Sequence, residues 1–195
     1  MKKILMIAAM MIATLSASAQ NEVGQVTLKP TVGINLANIT GGADTKVKVG
    51  FIAGAEAEYG VAENFGVSFG ALYSMEGCKQ DDVKFNLDYV NVPILAQFYP
   101  TKGLALKAGA QFGFNVRGKA NYNGHNLDIN DFFKATGMDT KIQTVNISIP
   151  VGASYEYESF VFDARYNIGL SKIFKNTEKG RNSTFTFTIG YKFAL

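Results

Sequence analysis

The side chains able to do chemistry in this chain are few and scattered. His125 is the sole histidine and Cys78 the sole cysteine among 195 residues. Acyl transfer or hydrolysis needs a base and a nucleophile within hydrogen-bond reach of each other. His125 lies in Asn123-Gly124-His125-Asn126, which reads as a solvated loop, so any partner must reach it by tertiary folding. A lone cysteine excludes an intramolecular disulfide, and with no histidine near it Cys78 reads as a loop-edge thiol. Asp128, Asn130 and Asp131 carry oxygen ligands but lack the glycine and distal glutamate of a calcium loop, and Asp81-Asp82 reads as an acidic turn. No catalytic residue, metal or cofactor is expected.

The informative polar residues are charges that share a spacing. Lys48, Glu56, Glu58, Glu76, Lys107, Arg117, Glu156, Asp163, Arg165 and Lys192 all fall on the polar positions of segments that alternate with period two. If that face lines an interior, these charges must pair there, because buried charges persist only when paired and hydrogen-bonded. Asp163 with Arg165 therefore reads as part of a lumen network rather than as an acid–base pair.

The elements that position them are strands. In the last segment Phe185, Phe187, Ile189, Tyr191, Phe193 and Leu195 take one face, and Thr186, Thr188, Gly190 and Lys192 the other. Seven earlier segments alternate likewise, near 26–36, 47–59, 65–76, 89–98, 104–117, 145–157 and 160–170. Each reaches the length of about 9–11 residues that a tilted transmembrane strand needs. Connections at 60–64, 100–103 and 158–159 are short, whereas those at 38–46, 77–88, 118–144 and 172–183 are long. Short turns at one rim and long loops at the other predict an all-β fold: an eight-stranded antiparallel transmembrane β-barrel of meander type.

A soluble eight-stranded barrel would put the same apolar face inside and the polar face in water. The polar face carries Gly33, Gly50, Gly54, Gly66, Gly70, Gly109, Gly113, Gly152, Gly169 and Gly190. Glycine weakens a water-facing strand but suits a crowded lumen shared by backbones and long side chains. The membrane barrel follows. Tyr59, Phe65, Phe98, Tyr99, Tyr157, Phe160 and Phe193 fit an aromatic girdle at the turn rim.

The N-terminus addresses this barrel. Lys2 and Lys3, an apolar run from Ile4 to Leu15 and Ala17-Ser18-Ala19 read as a signal peptide over residues 1–19, cleaved between Ala19 and Gln20. Residues 20–195 then form one barrel domain. Losing Lys2 and Lys3 takes nineteen basic residues to seventeen against sixteen acidic, a net charge of +1. No clustered basic footprint points to nucleic acid. The expected partners are outer-membrane lipid, the barrel-assembly machinery during biogenesis and an envelope or surface protein, with the barrel itself a monomer. Leu195 stays in register with the apolar row and Phe193 is the last aromatic, so the terminus reads as an assembly signal.

Several landmarks resemble a known family. They are Lys29-Pro30-Thr31-Val32-Gly33-Ile34-Asn35-Leu36, Gly50-Phe51-Ile52-Ala53-Gly54 and Leu72-Tyr73-Ser74-Met75-Glu76-Gly77. Tyr89-Val90-Asn91-Val92-Pro93-Ile94-Leu95, Ala164-Arg165-Tyr166-Asn167-Ile168-Gly169-Leu170 and Gly190-Tyr191-Lys192-Phe193 continue the set. Together they resemble the PorT-like outer-membrane β-barrel proteins of Bacteroidetes-type bacteria. The resemblance implies an eight-stranded barrel in the outer membrane with no shared catalytic residues.

Three functions suit such a barrel. A structural or interaction role through the extracellular loops, in adhesion or as an accessory to a secretion or envelope system, is the leading expectation. A narrow diffusion pore is the alternative, although eight strands leave an interior just wide enough for side chains. A lipid-modifying enzyme is the third. The long loop 118–144 carries a short helical signal, Asn130-Asp131-Phe132-Phe133-Lys134-Ala135-Thr136-Gly137, with Asn130 or Asp131 as its N-cap. Phe132 and Phe133 form its candidate contact patch, packed on the barrel rim or exposed to a partner.

Overall fold

The computed structural model describes residues 23–40, 46–80, 83–122, 125–135, 137, 142–173 and 180–195. The signal-peptide reading, with Ala19 and Gln20, and the turn Asp81-Asp82 lie outside the described residues.

Period-two alternation gives strands wherever it was read, and all of them except β2 and β7 run further at their loop ends than the pattern predicts. They are β1 (Val26–Thr40), β2 (Lys48–Ala62), β3 (Phe65–Gln80), β4 (Val83–Thr101), β5 (Leu104–Tyr122), β6 (His125–Asp128), β7 (Val145–Tyr157), β8 (Phe160–Lys172), β9 (Arg181–Tyr191) and β10 (Phe193–Ala194), with one helix, α1 (Ile129–Ala135). Neighbours in sequence pair antiparallel, β5 pairs β7, and β1 closes the ring against β9 and β10. Eight strands form the wall; β6 folds back on the end of β5, and β10 continues β9 past Lys192. The fold is a closed antiparallel eight-stranded barrel.

The wall is apolar outside and polar inside, the reverse of a soluble barrel. Ile34, Phe51, Phe69, Ile94, Phe162 and Phe187 are exposed on the outer surface, whereas Asn35, Glu56, Gln97, Lys107, Asp163 and Arg165 are buried in the interior. Closing the eight-stranded wall leaves it without an edge and satisfies its backbone, as a strand in lipid requires.

β3, β4 and β5 rise beyond this belt. The segment 77–88, expected to be a long loop, is instead the continuation of the β3–β4 hairpin, paired from Glu76–Leu87 to Gln80–Val83. Cross-strand hydrogen bonds satisfy its backbone, so it needs no separate loop structure. A register shift near its base, where Asp88 opposes Arg117 and Tyr89 opposes Asn115, leaves Val116 as an extra residue in β5. This bulge inverts the faces of β5 beyond Asn115. Gly118 and Ala120 then turn inward, and Arg117 turns outward.

Candidate functional site

The interior is filled in stacked layers. Nearest the short-turn rim, Lys192 Nζ lies 2.8 Å from Glu156 and 3.8 Å from Glu58, whose carboxylate also accepts the Tyr99 hydroxyl. Tyr99 is thus a lumen residue rather than a girdle aromatic; Phe98 before it faces out, and alternation turns Tyr99 in.

At mid-lumen Arg165 is the hub. Its guanidinium grips both Glu56 oxygens, Nη2 at 2.7 Å, and its Nε and Nη2 donate to Asp163 at 2.6 and 2.9 Å. Lys107 reaches Asp163 at 2.6 Å, and Lys29 reaches Glu56 at 2.8 Å. Three cations and two carboxylates thus pair in one buried layer, each acid held by two cations. Planar bidentate geometry is what makes an arginine suited to such a place. Glycines give the long side chains their room: a Cβ on Gly70 would sit 2.7 Å from Glu56 Cγ, and one on Gly190 2.7 Å from Lys29 Cγ.

Above this, Glu76 is held by hydrogen bonds rather than by a salt bridge. Ser74 donates at 2.7 Å, Asn91 at 2.9 Å, and Asn182 donates to its other oxygen. Asn35 links Ser74 to Thr186 in the same layer. Lys48 donates to the backbone carbonyl of Glu76 at 2.7 Å.

The mouth is closed by an apolar layer. Ile39, Cys78, Leu87, Tyr89, Ala120, Ile129, Phe133 and Ile173 form one buried cluster, with Phe85 and Ile142 against it. α1 enters this layer because its apolar residues Ile129 and Phe133 stand four apart, on one helical face. Asp128, two residues before the first of the predicted caps, accepts the Asn130 amide at 2.9 Å and starts the helix, and Gly137, at φ 74°, ends its turn. Phe133 is therefore part of the plug, 4% exposed, and not a contact patch. It is the apolar spacing with Ile129 that turns it inward. The side chains of Phe132 and His125 lie outside the described residues. Cys78 is buried here rather than at a loop edge, and burial pushes its thiol up to about 11.

Of the ten charges placed in the lumen by pattern, Arg117 is the correction. The bulge at Val116 sets it on the outer wall, 55% exposed at its side chain, beside Asp88. Lys29 was missed as a lumen residue, although it alternates with Leu28 and shares its face with Thr31 and Asn35. Among the described residues no three His, Cys, Asp or Glu side chains group as metal ligands.

The lipid-facing wall and the filled interior have counterparts. Residues 18–175 match the family model of the outer membrane protein β-barrel domain. The chain belongs to that family. It is an outer-membrane protein. No curated protein matches it. Among solved structures it resembles Ail, the attachment invasion locus protein of Yersinia pestis, at 17% identity and a TM-score of 0.55, over 88% of this chain and 100% of that one. It also resembles Neisserial surface protein A at 16% identity and a TM-score of 0.58, over 92% and 100%. A further structure of Ail holds the heparin analogue sucrose octasulfate, with a TM-score of 0.52 at 17% identity, over 88% and 100%. These likenesses concern the fold of the family's small barrels.

Proposed function

We propose that this barrel is a non-conducting membrane anchor that works through its extracellular rim, as a surface interaction protein of adhesion type. The observation that carries this is the double closure of the lumen. A salt-bridged layer around Arg165 and an apolar layer around Phe133 block the same path. What remains accessible is the raised β3–β5 wall and the outer side of α1, where Asp131 and Lys134 are exposed and 3.6 Å apart. Ail, whose name records attachment and which binds a heparin analogue, supports a surface role on the same architecture.

The reading is non-enzymatic. Cys78, the one thiol, is buried and kept protonated, and the cavity lined by Lys29, Glu58, Lys107, Glu156 and Lys192 holds only about 10 Å³. The PorT-like resemblance belongs to the same proposal, as does removal of residues 1–19 before assembly.

The test has two arms. Purified barrel in a planar bilayer shows no reproducible conductance steps. Cells displaying the protein adhere to a sulfated-glycan surface, and charge reversal at Lys134 reduces that adhesion while the barrel's heat-modifiable gel mobility persists. Large, reproducible steps from the wild-type protein favour the pore instead.

A further inference from the structure

The bulge in β5 has an electrostatic result. Had the alternation continued past Asn115, Arg117 and Lys119 would point into the apolar mouth, and Gly118 and Ala120 would point out. The extra residue Val116 reverses this. Ala120 enters the cluster with no exposure, and a Cβ on Gly118 would meet Ile129 at 2.7 Å, so small residues fit the plug. The two cations are delivered to the outer wall instead.

They arrive at a defined height. Tyr73, Val90 and Phe114 mark the upper edge of the outer apolar belt, and Arg117 stands just above it. Asp88, opposite Arg117 and only 2% exposed, accepts the Tyr73 hydroxyl at 2.7 Å and lies 3.7 Å from Arg117 Nη1. Its Oδ1 has no hydrogen-bond partner among the described residues. Lys119 is one row higher, with Asp128 opposite it, and Asp128 already accepts the Asn130 amide. Lys46 and Lys79, both exposed, oppose each other a further row up. Like charges placed directly across a sheet repel. Four cations thus share a face with two carboxylates across β6, β5, β4, β3 and the segment leading into β2, within about 20 Å laterally, the width of four strand spacings.

The geometry points to a binding site for the phosphorylated sugar head group of an outer-leaflet glycolipid on the outer wall of β3–β5. The acyl chains lie along the apolar belt below. Arg117 and Lys119 meet the phosphate, and Lys79 and Lys46 extend the positive surface upward. Tyr73 and Asp88 are positioning residues for Arg117. The site is on the flank of the barrel, and it stands whether or not the rim is adhesive.

The experiment uses full-length barrel in phosphatidylcholine nanodiscs, titrated with a diphosphorylated glucosamine-disaccharide lipid or its dephosphorylated form, with occupancy read by native mass spectrometry. The wild type prefers the diphosphorylated lipid by at least tenfold. Replacing Arg117→Gln and Lys119→Gln together removes about 25-fold in affinity, taking roughly fivefold per cation at an anionic surface. Lys102→Gln, at the opposite rim, leaves the preference intact. Equal binding of both lipids by the wild type overturns the proposal without reference to any variant. So does a preference that survives in the double variant with normal heat-modifiable mobility, or one abolished by inorganic phosphate at the lipid's phosphate concentration.

Discussion

Arg165 touches both buried acids of its layer through separate edges of one plane, which no lysine can do. A point charge on a flexible stem lacks the paired N–H edges that give two-point contact with each acid, as Lys29 shows at 2.8 Å from Glu56 but 3.9 Å from Asp163. Removing one partner of a buried ion pair leaves an uncompensated charge, a loss of about 3–5 kcal/mol. Arg165→Lys is therefore expected to lower the urea midpoint of the refolded barrel clearly, and Glu56→Gln combined with Arg165→Met to recover part of the loss. An Arg165→Lys barrel as stable as wild type would show that the layer tolerates a point charge. Cys78 gives a second residue-scale prediction. A thiol raised to about 11 is ionised in only about one molecule in a thousand at pH 8. Maleimide labelling of folded protein at pH 8 should be slow, and fast once it is unfolded. The same shift fixes a sign: above the ordinary thiol value of 9.0 the unfolded chain releases this proton while the folded one keeps it. The mouth layer thus loses stability as pH rises from about 9 to about 11.

At the scale of elements, α1 matters as a stopper rather than as a helix. Seven residues are too few to be stable alone, so packing holds it in place. Phe133→Ala removes a buried ring that lies 6.3 Å from Phe85 and is expected to cost about 3–5 kcal/mol of local stability. It should accelerate Cys78 labelling at constant pH, because the two residues share one cluster; unchanged labelling would place Cys78 under separate control. The wall strands were legible in the sequence because a barrel in lipid obeys period two on both faces. Glu56, Lys107, Asp163 and Arg165 could be assigned to the interior for that reason alone. Arg117 could not. One extra residue in β5 inverts every later side chain, and Val116 carries no sign of it in its type. Phe133 was obscured differently: its helix was read, but the direction of its apolar face depends on a mouth formed by five other segments. Tyr99 looked interfacial by composition, whereas alternation after Phe98 already turned it inward.

For the whole molecule, the question is which layer sets permeability. An ion crossing the barrel meets the apolar mouth and the charged mid-lumen in series, and the more restrictive one governs. Apart from the Tyr89 hydroxyl and the Cys78 thiol the mouth cluster is hydrocarbon, too little to replace hydration, so it is a barrier of desolvation. At mid-lumen the groups are polar but bound to one another, and an ion must displace those pairs to pass. Opening one layer should leave the other shut. Ile129→Ala with Phe133→Ala is expected to remain electrically silent in a planar bilayer, as is Arg165→Ala alone. All three substitutions together should give small, frequent conductance steps, since both obstructions are then weakened in one path. Steps from the mouth variant alone would show that the salt-bridged layer is no barrier. The closure of this barrel would then rest on the helix, and the same helix would join the surface role of the rim to the state of the lumen.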